Sequence, residues 1–354
     1  MEPHRRLHSC DITRRRKSAI EVNADRLPRD SVEHYLTIEC ALKGYVDRSV
    51  IGKNVVIFLH FKEFFVAELK FAYFILCHKM PEQVIRLINR LSDGESFCVV
   101  HIDKRAAANV YDTLKDFSAN APNIYLTKRR RCYWGHFGIV QATISCIQIA
   151  MQLNLPFDYA FLLSGQDYPI KKSSHIKKFL SENMGREFIE SFPLDKPNRW
   201  SNHGGPFNPV NRVQFWTIFL RSRYIQIKLK RNFPLGFRPH GGSQWWCLSR
   251  DCIKYLKTFI VENPSFVRYF RWVFIPDEIF FQSILSNSPY RDKIVSDDLR
   301  YADWDTPNPN YPRTLDISDL EKLKCSPDLF ARKFDTDRSR ELLNNLDNKC
   351  IDRD

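Results

Sequence analysis

An α/β fold, with a largely parallel sheet flanked by helices, is what this sequence predicts. Two observations carry the prediction. Short apolar runs of strand length alternate with longer segments whose apolar residues recur at helical spacing. The 354 residues are 44% hydrophobic, enough for a sizeable core, yet no run reaches the ~18 apolar residues of a membrane span. The nearest approach, VVIFLHFKEFFVAELKFAYFIL, is interrupted by His60, Lys62, Glu63, Glu68 and Lys70.

The regular pattern starts at residue 69. LKFAYFILCH reads as a buried strand and PEQVIRLINRL as a helix with Pro81 in its first turn. SFCVVHID is a second strand, followed by helical KRAAANVYDTLKDF and the short strand NIYLT. FGIVQATISCIQIAMQL has helical spacing, DYAFLLSG is another buried strand, SSHIKKFLSEN a helix capped by Ser, and REFIES a further strand. Strands joined through helices at this spacing pair in parallel, and such sheets bind ligands beyond the strands' carboxyl ends. That rule points to His78 and Lys79, to Asp103 and Lys104, and to the stretch from Ser164 to Lys171. Neither GxGxxG nor GxxxxGK[ST] occurs, so a dinucleotide fold or a P-loop has no support.

Residues 1–68 differ. They are rich in Arg and Asp, show little periodicity before residue 54, and are expected to form an N-terminal extension that is disordered or loosely packed. The domain then covers 69–348, and 349–354 form a tail. The start lacks the apolar stretch of a signal peptide. The ten cysteines are scattered without a CxxC pair, which predicts free thiols and a reducing compartment. The formal charge of +13 makes an acidic partner plausible: nucleic acid, an anionic membrane or a phosphate-bearing substrate. No compact basic-aromatic motif singles out nucleic acid.

The stretch FIPDEIFFQSIL sets Asp277 and Glu278 among apolar residues. A buried carboxylate is costly unless paired, hydrogen-bonded or protonated. Acids behind Pro276 suit a helix N-terminus; alternatively, one of them is a catalytic base held in a cleft.

FAYFILCHKMPEQVIRLINRL, VVHIDKRA, CYWGHFGIVQA, FLLSGQDYPIK, GGSQWWCLS, PDEIFFQSIL, LRYADW and LFARKFD occur in the order seen in glycosyltransferase family 14. Over about residues 69–348 the chain resembles that family, which contains the core-2/I-branching β-1,6-N-acetylglucosaminyltransferases and the peptide O-xylosyltransferases. Each motif alone is weak; their shared order carries the resemblance. It implies a GT-A-type fold, a UDP-sugar donor, inversion at the anomeric carbon and no metal or other cofactor.

The resemblance also implies roles. Glu278 matches the general base, with Asp277 capping the turn or orienting the site. Arg313 and Lys333 match the basic groups that neutralise the diphosphate in place of a metal, with Arg332 as the nearby alternative. Asp103 matches the acid that meets the uracil, against the reading that it caps a helix. Ser164, Gly165 and Asp167 form a strand-end loop on the donor side, where Asp167 orients the sugar or simply holds the loop; Trp134 and Gly135 line the same side, with core packing the alternative for the Trp. Glu190, Lys196 and Arg199 match an acceptor-binding cluster, although the gap between Glu190 and Lys196 is short for the family. Trp246, in the pair Trp245-Trp246, could stack on a sugar face or belong to the core. Asp303-Trp304-Asp305 and Asp335-Thr336-Asp337 are DxD strings, but they lie too late in the chain for the usual donor-metal motif.

The motifs divide between the GlcNAc and xylose branches, so the donor stays open, as does the acceptor among glycans, glycolipids and protein Ser/Thr. The expected location is cytoplasmic, with peripheral membrane contact left open, because the chain looks like soluble members of the family. The other class of reading is a basic nucleic-acid-binding protein or a non-catalytic sugar-binding relic. Intact Glu278 and Lys333 argue against the relic. Because the regular pattern begins near Leu69, a chain lacking residues 1–66 is expected to remain soluble and to melt cooperatively; a non-cooperative melt would show that the segment packs on the core.

Overall fold

The structure, a computed structural model, describes residues 69–220, 223–306 and 311–348. The expectations for residues 1–68 and 349–354 lie outside the described residues. The strands are β1 (Phe71–Cys77), β2 (Phe97–Ile102), β3 (Ile124–Leu126), β4 (Tyr159–Ser164), β5 (Asp167–Pro169), β6 (Glu187–Ile189) and β7 (Phe192–Pro193). They continue as β8 (Trp216–Leu220), β9 (Arg223–Ile227), β10 (His240–Gly241), β11 (Trp246–Ser249), β12 (Ile294–Val295), β13 (Arg300–Ala302) and β14 (Phe330–Arg332).

A seven-stranded central sheet has the order β12-β6-β11-β4-β1-β2-β3. Every neighbouring pair in it is parallel except the two made by β11, which runs against both β4 and β6. The fold is therefore the mixed α/β architecture the alternation predicts, consistent with a GT-A-like transferase. β1 shows why its sequence is apolar throughout. Phe71, Tyr73 and Ile75 enter one core with Val84, Leu87 and Ile88 from the helix Pro81–Leu91. Ala72 and Phe74 enter the other core with Val140 and Ile147 from the helix Gly138–Gln152. A strand covered by helices on both faces has no polar side to display.

Local details depart from the sequence reading. The helix after β2 begins only at Ala108, because residues 103–106 form a turn in which the Asp103 carbonyl accepts from Ala106 N. Ser173 is the first residue of its helix rather than its cap; the cap position is Lys172, without a side-chain cap bond. The PDE stretch does not open an α-helix directly. Pro276–Glu278 is a 3₁₀ turn entered through Ile275 at φ 51°, and the α-helix starts at Phe280. A β-branched residue at positive φ costs about 1–3 kcal/mol. Ile275 N is held there by the carbonyl of Gly135 at 3.1 Å. All seven cysteines among the described residues are free.

A small sheet, β13-β14-β5, packs against the end of β4. Asp167, on β5 and fully buried, joins the two. Its oxygens accept from Ser164 Oγ and N at 2.7 and 3.0 Å and face Arg300 Nε at 3.2 Å and Arg332 Nε at 3.4 Å. Asp167 and Arg332 are direct cross-strand partners. Removing one member of a buried ion pair leaves an uncompensated charge, typically costing about 3–5 kcal/mol. Asp167→Asn is therefore expected to lose about that much stability by denaturant unfolding; an unchanged midpoint would show that the two arginines do not need it.

Candidate active site

Because β1, β2 and β4 are parallel, their carboxyl ends share one edge, and a cleft of about 1060 Å³ opens there. Its lining includes Lys79 after β1, Asp103 after β2, Ser164 at the end of β4 and Gly165 just past it, as the strand-end rule expects. Gly165 has a packing reason: a Cβ there would meet Val84 at 2.8 Å and Cys77 at 3.0 Å. The Asp103 carboxylate accepts from Arg105 N at 2.8 Å and Cys132 N at 3.3 Å through Oδ1. It organises the loop and does not cap the following helix.

Glu278 and Asp277 both line the cleft, in different surroundings. Glu278 is partly exposed, and its Oε2 accepts from Arg212 Nη1 at 2.7 Å. Arg212 is buried, with its guanidinium 4.0 Å from the centroid of the Trp200 ring. Gly242 N donates to the Glu278 carbonyl at 2.9 Å and fixes the backbone. Asp277 is buried and its Oδ1 has no hydrogen-bond partner. Burial, then the neighbouring Glu278 charge, push its pKa up to about 7. It makes no cap bond to the turn, so that part of the sequence expectation is corrected. Adjacent acids thus differ: one is paired and reachable, the other poised to hold a proton near neutrality.

The basic wall comes from the small sheet. Arg332 and Lys333 line the cleft, and the Arg332 guanidinium lies 4.5 Å from the Trp245 ring centroid. Burial, then Arg332 and Lys79, lower Lys333 to about 8. Its Nζ sits 4.6 Å from the Tyr311 ring centroid. Arg313 is placed differently from the expectation. It is bound to Asp303 at 2.8 Å and to Asp319, and it is not part of the cleft lining. Its charge is already balanced, and the same bonds occupy Asp303 of the DWD string. Its backbone does serve the site, since Lys333 N donates to Arg313 O and Leu315 N to Lys333 O. Asp167 lies behind the wall as the counter-ion of Arg300 and Arg332. Among the described residues, no group of three or more His, Cys, Asp or Glu could hold a metal ion.

Glu190 and Arg199 line the cleft as a bidentate pair, with Arg199 Nε and Nη2 at 2.9 and 2.7 Å from the carboxylate. Lys196 is exposed and absent from the lining. Of the two basic residues expected there, only Arg199 reaches the cleft. Trp246 is also corrected. It is buried between Phe74 and Phe281 on β11, and its neighbour Trp245 faces the cleft. Period-two alternation forces this: only one of two adjacent residues at a strand start can face each side. Trp134 does reach the cleft wall, while Gly135 lies outside the lining. The sequence reading missed Arg212 altogether. It stands 66 residues before Glu278, in a segment with no motif.

Comparison with known proteins identifies a family. The family model described as Core-2/I-Branching enzyme matches residues 71–324. Among curated proteins, xylosyltransferase 1 of Canis lupus familiaris is 23% identical over 331 residues, covering 87% of this chain and 33% of its own length. The xylosyltransferase of Ciona intestinalis is 25% identical over 311 residues, covering 80% of this chain and 34% of its own. The chain thus spans about a third of the curated relatives it matches.

Proposed function

The chain belongs to the Core-2/I-Branching enzyme family, and from that premise we propose that it transfers a sugar from a UDP-sugar donor to an acceptor hydroxyl with inversion at the anomeric carbon. The observation that carries the reading is Glu278, a carboxylate in the cleft with Oε2 fixed by a buried arginine and Oε1 free of hydrogen bonds from the described residues. The acceptor oxygen attacks the anomeric carbon, Glu278 takes its proton, and the bond to the diphosphate breaks with its electron pair passing to the leaving oxygen. Asp277, holding a proton near neutral pH, limits the negative charge beside the base.

The leaving diphosphate gains charge as the bond breaks and needs fixed positive groups. Lys333 fills that role, with Arg332 in the place the sequence reading gave to Arg313, so the step needs no metal. Asp103 offers Oδ2, which the loop leaves unbonded, to a uracil N–H. The Glu190–Arg199 pair and Trp245 suit sugar hydroxyls and a ring face. The relatives named above are xylosyltransferases, which makes UDP-xylose the first donor to test and UDP-GlcNAc the second. No helix among the described residues is long and apolar enough to cross a membrane, so the site is proposed to act on acceptors reached from solution or from a membrane surface.

Glu278→Gln keeps the acceptor for Arg212 but cannot take the proton. UDP release with UDP-xylose, UDP-GlcNAc, UDP-glucose and UDP-galactose is expected to find a donor whose turnover this variant lowers by about 10²–10⁴. Near-normal transfer by the variant would remove Glu278 from the mechanism. Lys333 supplies a second check. Its amine is cationic below its lowered pKa of about 8 and neutral above it. UDP affinity by calorimetry is expected to fall as pH rises through that value, to lose this dependence in Lys333→Ala, and to be unchanged by EDTA. A strict divalent-metal requirement would return attention to Asp303 and Asp305.

A further inference from the structure

The hairpin of β8 and β9 presents an apolar face to solvent that the proposed reaction does not use. Its register pairs Trp216 with Ile227, Ile218 with Ile225 and Leu220 with Arg223. Alternation sends these residues outward and Thr217, Phe219, Tyr224 and Gln226 inward. Leu220 is 58% exposed, Ile225 57%, Ile227 43% and Leu229, just past the strand, 65%. Trp272 extends the face beside Trp216, ring centroids 5.9 Å apart, and is itself 39% exposed. Contiguous exposure of this kind marks an interaction surface.

The charged residues along this stretch of chain are of one sign. Arg223, Lys228, Lys230 and Arg271 are exposed at its rim. No Asp or Glu occurs between Asp195 and Asp251. We propose that this hairpin docks the protein on an anionic lipid bilayer, with the Ile, Leu and Trp side chains entering the headgroup region and the lysines and arginines meeting lipid phosphates. Apolar side chains ringed by Lys and Arg, with Trp at the boundary, match the depth profile of a membrane interface. A second copy of this chain would set Lys228 and Lys230 against like charges, and a nucleic acid offers no apolar layer for Ile225 and Ile227. The inward face sits on the site: Tyr224 and Phe219 pack on Phe274, at 4.6 and 6.4 Å between centroids, and Phe274 meets Trp134 of the cleft wall at 5.9 Å. A docked bilayer would lie one ribbon away from the cleft.

The test is co-sedimentation of the full chain with phosphatidylcholine vesicles, with and without phosphatidylglycerol. The wild type is expected to bind the anionic vesicles, and more weakly as salt rises. Ile225→Thr with Ile227→Thr keeps β-branched residues in the strand, and Lys228→Glu with Lys230→Glu alters charge alone. Each pair is expected to weaken that binding by about tenfold or more, with the melting temperature unchanged. Wild-type indifference to vesicles would overturn the proposal. So would full binding by both variants, which would place attachment elsewhere in the chain. Self-association abolished by the Ile pair without any vesicle binding would identify a second copy as the occupant, and binding to heparin or RNA in place of vesicles would identify a polyanion.

Discussion

One fully buried carboxylate holds the cleft together. Asp167 sits where the central sheet hands over to the small one, and it faces Arg300 from β13 and Arg332 from β14 while accepting from Ser164 at the end of β4. Two guanidiniums around one carboxylate leave positive charge beside the cleft. Trp245 covers that charge, its ring 4.5 Å from one guanidinium and 5.2 Å from the other. Burying such a cluster is expensive. Its effect is to set Lys333, the next residue, at the cleft wall.

The acid side of the cleft is built on the same logic with the signs reversed. Asp277 and Glu278 follow one another, yet their surroundings pull them apart. Arg212 and Gly242 fix Glu278, while Asp277 faces apolar surroundings with Oδ1 unpaired. The turn that separates them needs Ile275 at positive φ and Gly135 across from it. Phe274, one residue earlier, carries the aromatic packing that links this turn to the β8–β9 hairpin. Strain, charge and packing therefore meet in five consecutive residues, 274–278.

Much of the fold was legible because it rests on local patterns. The runs FAYFILC, FCVVHI and YAFLLS are apolar on both faces, and a strand with no polar face must be covered on both. From that follow parallel pairing and an edge at the carboxyl ends, and Asp103, Ser164 and Gly165, expected at that edge, line the cleft, as does Lys333, expected from the family resemblance. Glu190 and Arg199 also reached it. Arg313, Lys196, Trp246 and Asp167 did not, and each missed for a reason that spacing cannot carry. Arg313 is captured by acids 10 residues before and 6 residues after it, and Asp167 by arginines on strands far later in the chain. Lys196 lies on a turn that points outward, and Trp246 on the inward side of a two-residue alternation.

The sequence by itself determined the layered α/β architecture, the edge where ligands would bind and the acid pair that marks the site, because periodicity and motif order are properties of neighbouring residues. Only the tertiary structure decided which charges are spent within the protein and which face the cleft. It paired Arg212 with Glu278 across 66 residues, occupied Arg313 with Asp303 and Asp319, and left Arg332 and Lys333 at the wall. An ion pair depends on separation in space, falling off within angstroms, and distance along a chain does not report it.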